Sequence, residues 1–188
     1  QLYCVAREGA GDWITALPSK ALGLHLRSGE FRFGAKYRLG LPVFREEAEC
    51  PAQLCKARND LFGDHAISCA IGGKRIARQS HLCDAFYQTA QQAHLGHRKE
   101  PDGLLGATEE HPADILLPYW TQGRDTAIDV TVVNALQSAL VDRVATEGGH
   151  AVAHSHIAKL RKYEARCAAE GMEFLPLGVD RFGGWHKV

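Results

Sequence analysis

Methionine is almost missing from these 188 residues: Met172 is the only one, and the chain opens Gln1-Leu2-Tyr3-Cys4. With no initiating methionine in place, the sequence reads as a piece of a longer polypeptide. No secretory leader opens it, and no apolar run approaches the roughly 20 residues that a membrane-spanning helix needs. An excess of charge of one sign is lacking too, since 22 basic residues face 22 acidic ones. Proteins that grip nucleic acid commonly carry a basic surplus. The balance therefore excludes recognition by overall charge, while local patches and bound cations remain able to supply a field. Internal repeats and low-complexity tracts are absent, which excludes a solenoid or an array. What is present, 45% hydrophobic and 23% charged residues, is the composition of a globular chain long enough for one elaborated domain.

Residues 1–49 hold several turn signals and no evident chemistry, and are read as a linker or packing region. A cysteine-bearing segment over 50–72 follows, and 73–188 carries the periodic patterns of a main domain. Apolar residues from Ile76 to Ala93 recur at helical spacing, predicting a helix over 74–95. Two β-prone runs, 112–118 and 126–133, flank a reversal containing Gly123. Helices are expected over 136–147 and 150–170, and a last strand over 172–177. Helix, strands, helices, strand is the order of a mixed α/β fold, with a central sheet flanked by helices.

Three of the six cysteines crowd together with a histidine as Cys50-x4-Cys55-x9-His65-x3-Cys69. Thiolate and imidazole ligands in two short-spaced pairs suit tetrahedral zinc, and four protein ligands close the coordination sphere, so the ion would be structural. The competing reading is a set of reduced, buried thiols beside a surface histidine. Cys4, Cys83 and Cys167 are assigned to the core, and His81 is a substitute ligand.

Two aspartates stand in the β-prone runs, Asp114 after Pro112-Ala113 and Asp129 before Val130-Thr131. If the reversal centres between Thr121 and Gln122, Asp114 lies opposite Asp129. Asp129 then shares a face with Thr131, while Ile128, Val130 and Val132 point the other way. Facing carboxylates repel unless they share a hard cation such as Mg²⁺ or Mn²⁺, which is what metal-assisted phosphodiester cleavage uses. Lys159, Lys162 and Arg166 form a stripe on the later helix, with Ile157, Leu160 and Cys167 on an apolar side. Lys159 or Lys162 would reach over the strands to the scissile phosphate. Solvated helix charge and isolated turn or edge carboxylates are the competing reading.

These residues resemble the C-terminal restriction-enzyme-like endonuclease domain of site-specific non-LTR retrotransposons, a PD-(D/E)xK nuclease. The similarity runs through Cys50, Cys55, His65 and Cys69, Pro112-Ala113-Asp114, Asp129-Val130-Thr131-Val132 and Lys159-x-x-Lys162-Tyr163. It covers roughly 50–185 and departs in two places. An alanine separates Pro112 from Asp114, and Thr131 stands where a lysine is usual, so the cation must come from the later helix. The resemblance implies zinc at the four-ligand motif, Mg²⁺ or Mn²⁺ at Asp114 and Asp129, and nicking of nuclear target DNA to prime an attached reverse transcriptase. A likeness to archaeal Holliday-junction resolvases implies branched DNA as a further substrate. Glu100 is a candidate third acidic ligand, and Asp84 a weaker one. Lys74, Arg75, Arg78 and Arg166 are candidate phosphate contacts, and Tyr119 and Trp120 candidate stacking residues. Two alternatives stay open: a zinc-stabilised nucleic-acid-binding module with an inactive core, and a structure-selective resolvase-like nuclease.

Overall fold

The chain is organised around one sheet whose two faces are covered by two long helices. The computed structural model describes residues 1–20, 23–71, 74–106 and 110–187, without the side chains of Lys74 and Arg75. The Gly72-Gly73 break lies outside the described residues. Helices α1 (Leu2–Val5), α2 (Asp12–Thr15) and α3 (Ser28–Arg38) come first, then a two-stranded ribbon of β1 (Ala48–Glu49) and β2 (Arg58–Asn59) and the short helix α4 (Asp64–Ser68). Helix α5 (Lys74–Gln92) leads into β3 (Arg98–Lys99), β4 (Ile115–Thr121) and β5 (Arg124–Val133). Helices α6 (Val141–Val144) and α7 (His150–Ala169) precede the last strand, β6 (Glu173–Asp180).

The sheet runs β3-β4-β5-β6, with β3/β4 and β4/β5 antiparallel and β5/β6 parallel. The parallel pair is joined through α7, as a parallel connection requires a long crossover. Alternation along the strands sorts the core. Ile115, Leu117, Ile128 and Val130 pack with Cys83 and Ala90 of α5, while Leu116, Ala127 and Phe174 pack with Tyr163 and Cys167 of α7. The mixed α/β architecture expected from the sequence is therefore present.

Two expected elements differ. The helix over 136–147 contracts to α6, and Asn134 Oδ1 accepts the Leu136 N–H at 3.0 Å in the turn ahead of it. On α7, Ile157 is 47% exposed and does not join the apolar side. The buried stripe is Val152, Tyr163 and Cys167, spaced 11 and 4 residues apart, and Ile157 falls between its turns.

Residues 1–49 pack on the main domain. Cys4 and Tyr37 share a core with Val133, Ala135, Val144, Ala151 and Phe182. Arg7 pairs with buried Asp180 at 3.4 Å and donates to the carbonyls of Gly184 and Trp185. Arg38 donates to the carbonyls of Val5, Ala10 and Phe182.

Candidate functional site

Two clusters are candidates for a functional site. The first is the four-residue motif, Cys50, Cys55, His65 and Cys69, whose ligand atoms all lie within 4.8 Å of one another. The ribbon β1/β2 holds Cys50 and Cys55, with Cys50 N–H on Ala57 O at 3.1 Å and Cys55 N–H on Ala52 O at 2.8 Å. Helix α4 brings His65 and Cys69 up to them. Asp60 fixes the start of that helix: its Oδ1 accepts the N–H groups of Phe62 and Asp64, and its Oδ2 accepts that of His65 at 2.8 Å. Burial pushes the Asp60 carboxyl up, but the three amide donations outweigh it and hold the group below its usual range. Gly63, at φ +85°, makes the turn, and a Cβ there would meet Val43 Cγ2 at 2.8 Å.

The cluster's dimensions fit zinc. Cys50 Sγ lies 3.7 Å from Cys69 Sγ, and Cys55 Sγ lies 3.4 Å from His65 Nε2. Bonds of about 2.3 Å to sulfur and about 2.0 Å to nitrogen give tetrahedral edges of roughly 3.5–3.8 Å. The Cys50 thiol is pushed down to about 7, first by the Ala52 backbone hydrogen bond and then by His65, which favours the thiolate a metal needs. Four Cys/His ligands could thus hold zinc with no open position. His81 is exposed on α5 and stays out of the cluster, while Cys4, Cys83 and Cys167 are buried.

The second cluster lies on the β4/β5 pair, where Asp129 meets Lys159 of α7 and Asp114 reaches Cys83 of α5. Extending the Ile115↔Ile128 register by one residue sets Asp114 against Asp129. Asp114 bonds to the residues on both sides of Asp129: its N–H donates to Ile128 O at 2.9 Å, and its Oδ2 accepts the Val130 N–H at 2.7 Å. The reversal nevertheless centres at Gln122-Gly123, one position later than expected. A register shift between Leu117 and Thr121 absorbs the difference, at Pro118, which has no N–H for the ladder.

Asp129 is 6% exposed, and its carboxylate is fully engaged. Lys159 Nζ sits 2.8 Å from Oδ1, and Thr131 Oγ1 donates to Oδ2 at 3.0 Å. Asp114 is raised above the usual carboxyl range, first by burial and then by the Asp129 charge, against the opposing pull of the Val130 amide, Cys83 and Lys159. The Cys83 thiol is pushed up to about 12 by burial and by its hydrogen bond to Asp114. Cys83 therefore does more than fill the core, and its place three residues short of Phe86 on an apolar helix stripe hid that contact.

The structure separates the two lysines. Lys159 meets Asp129, while exposed Lys162 lies 3.9 Å from Glu110 and 4.6 Å from the Tyr163 ring centre. Arg166 pairs with the same Glu110 at 2.7 Å. Glu100 gives its N–H to Asp114 O at 2.7 Å, yet its side chain is exposed, and among the described residues no third carboxylate gathers with Asp114 and Asp129. Asp84 is instead paired with Lys99 at 2.6 Å. The side chains of Lys74 and Arg75 lie outside the described residues, and Arg78 is partly buried on α5. Tyr119 and Trp120 are 78% and 52% exposed at the hairpin tip.

Facing carboxylates with oxygen-only donors fit a hard divalent cation, which uses one or two protein carboxylates and keeps several waters. Burial raises Asp114 most, and the Asp129 charge adds to it; that second contribution is the one such a cation would relieve. The chain matches no protein-family model, and no curated protein matches it significantly.

Proposed function

We propose that this chain is a divalent-metal-dependent DNA endonuclease that nicks one strand, with Asp114 and Asp129 as ligands of Mg²⁺ or Mn²⁺ and Lys159 at the scissile phosphate. The observation that carries this reading is half-buried Asp114 set opposite buried Asp129, with the Lys159 ammonium 2.8 Å from Asp129 Oδ1. A lysine on the sheet-facing side of α7 is costly unless it is paired, and this one is two-thirds buried against a carboxylate. A bound Mg²⁺ supplies Lewis-acid polarisation of the phosphate and lowers the pKa of the attacking water. Lys159 exchanges its contact with Asp129 for a phosphate oxygen and stabilises the charge that develops there. Thr131 keeps the Asp129 carboxylate oriented during that exchange. Water oxygen bonds to phosphorus as the bond to the 3′-oxygen breaks, and that oxygen takes up a proton, leaving a 3′-hydroxyl able to prime DNA synthesis. The reading belongs with a PD-(D/E)xK core in a longer retrotransposon-type protein that carries a reverse transcriptase and acts on nuclear DNA. Zinc at Cys50, Cys55, His65 and Cys69 has a structural part in it.

A supercoiled-plasmid nicking assay tests the reading. Wild type nicks with Mg²⁺ or Mn²⁺ and not with chelator. Asp129→Asn abolishes nicking, and Lys159→Met lowers its rate about 10²–10³-fold, the usual effect of removing one charge-stabilising donor. Lys162→Met stays within about threefold of wild type. Equal loss in the two lysine variants would contradict the assignment.

A second reading, a zinc-stabilised nucleic-acid-binding module with no cleavage, is favoured by one observation. Among the described residues, only the Cys/His cluster gathers three or more ligand side chains. Retained DNA binding with no nicking under any divalent metal would select it.

A further inference from the structure

Beyond the carboxyl end of β5 lies a cavity of about 600 Å³ that begins where the aspartate–lysine pair ends. Thr131, whose hydroxyl donates to Asp129, and Ala158, the residue before Lys159, both line it. Its far wall is Ser68 and Ala70, which flank the zinc-motif residue Cys69. In a chain of zero net charge this lining is one-sided: Arg78 and Arg181 contribute, and no carboxylate does among the described residues. Gln79, Gln137 and Ser155 add neutral donors and acceptors. Ile76, Val132, Val133 and Leu140 give the same lining apolar surface, so it offers both kinds of contact that a ligand with a charged end and a flat ring requires.

We infer that this cavity receives a single unpaired nucleotide of the DNA strand, next to the phosphate that is cut. The volume lies within the roughly 300–1,000 Å³ of sites for drug-sized ligands, which one nucleotide matches and an intact duplex cannot enter. The arginines suit its phosphate, and the amide and hydroxyl groups suit the edge of its base. Extruding a paired base costs a few kcal/mol, least where the base is already unpaired, so the cavity turns local duplex distortion into selectivity. The inference rests on the endonuclease reading and names the class of DNA that the same site prefers.

The test is a binding experiment on the whole chain in Ca²⁺, with a duplex carrying one unpaired 2-aminopurine nucleotide. That duplex should bind about tenfold more tightly than its fully paired counterpart, a difference of about 1.4 kcal/mol, and the emission of 2-aminopurine should change on binding. Gln79→Ala, which removes a donor, and Ala158→Leu, which fills the cavity, should each erase the preference while affinity for the paired duplex stays unchanged. Circular dichroism checks that both variants fold. Equal affinity for the two duplexes, or a preference that survives both substitutions, overturns the inference. If the unpaired nucleotide is bound but no metal ever supports nicking, the cavity assignment stands and the endonuclease reading falls.

Discussion

At the scale of single residues, the tension in the site is visible in Asp114. Its carboxyl is raised because burial and the Asp129 charge outweigh the Val130 amide, Cys83 and Lys159. A raised folded-state value contributes stability that is complete below the unfolded carboxyl range and is lost as pH rises through the folded value. In the metal-free chain the ionised form of Asp114 is therefore a cost. Asp114→Asn keeps an oxygen for the Val130 amide and removes the charge, so it should raise the metal-free melting temperature by about 2–4 °C, equivalent to roughly 1 kcal/mol. The same substitution should end nicking. Differential scanning fluorimetry with chelator checks the first part, and a lower melting temperature would contradict it. The pairing of Asp114 with Asp129 was legible in the sequence because the strand register alone sets the two residues opposite each other. Lys159 was not separable from Lys162 by charge spacing. The distinguishing signal was its position four residues before buried Tyr163 and seven after buried Val152, where a lysine points into the sheet rather than into water.

At the scale of elements, the hairpin and the zinc segment show how local rules position the chemistry. The register around Asp114 and Asp129 followed from pairing and alternation. The tip did not, because Pro118 removes a ladder donor and Tyr119 and Gln122 take left-handed backbone angles of +56° and +51°. Those features left no trace in the hydrophobic pattern. The Cys/His cluster that could hold zinc was legible from spacing, whereas Asp60 was hidden, because a capping aspartate looks like any loop carboxylate. It gathers three backbone N–H groups at the start of α4, the helix that presents His65 and Cys69. Asp60→Ala should weaken zinc binding about 10–100-fold, the usual loss when a supporting residue around a metal centre is removed. Competition with a chromogenic chelator measures this, and unchanged affinity would show that α4 is held by other contacts. Because the Asp60 carboxyl is held below its usual range, its contribution is present above the ordinary carboxyl pKa and is lost as pH falls through the lowered value.

At the scale of the whole molecule, the mixed α/β layering was legible because strand and helix periodicities differ. The tie between the chain's two ends was not. Residues 1–49 offered no chemistry in sequence, and beside the apolar contacts of Cys4 and Tyr37 their ties run from Arg7 and Arg38 to carbonyls near the far end of the chain. Arg7 is the clearest case, spanning to Asp180, whose side chain is 1% exposed, and to the carbonyls of Gly184 and Trp185. Arg7→Ala strands a buried carboxylate, although the Phe182 and Gly184 amides still bond it. A loss of about 1–3 kcal/mol in urea unfolding is expected, and no measurable change would mean that the termini are not coupled to the core.

The most direct test of the central claim is anomalous diffraction from crystals soaked in Mn²⁺. A single strong peak within coordination distance of both Asp114 and Asp129, with the Lys159 ammonium displaced from Asp129, is the predicted result. An undisturbed Lys159–Asp129 pair with no manganese peak beside it, in crystals whose Cys50–Cys55–His65–Cys69 centre is occupied by zinc, would contradict it.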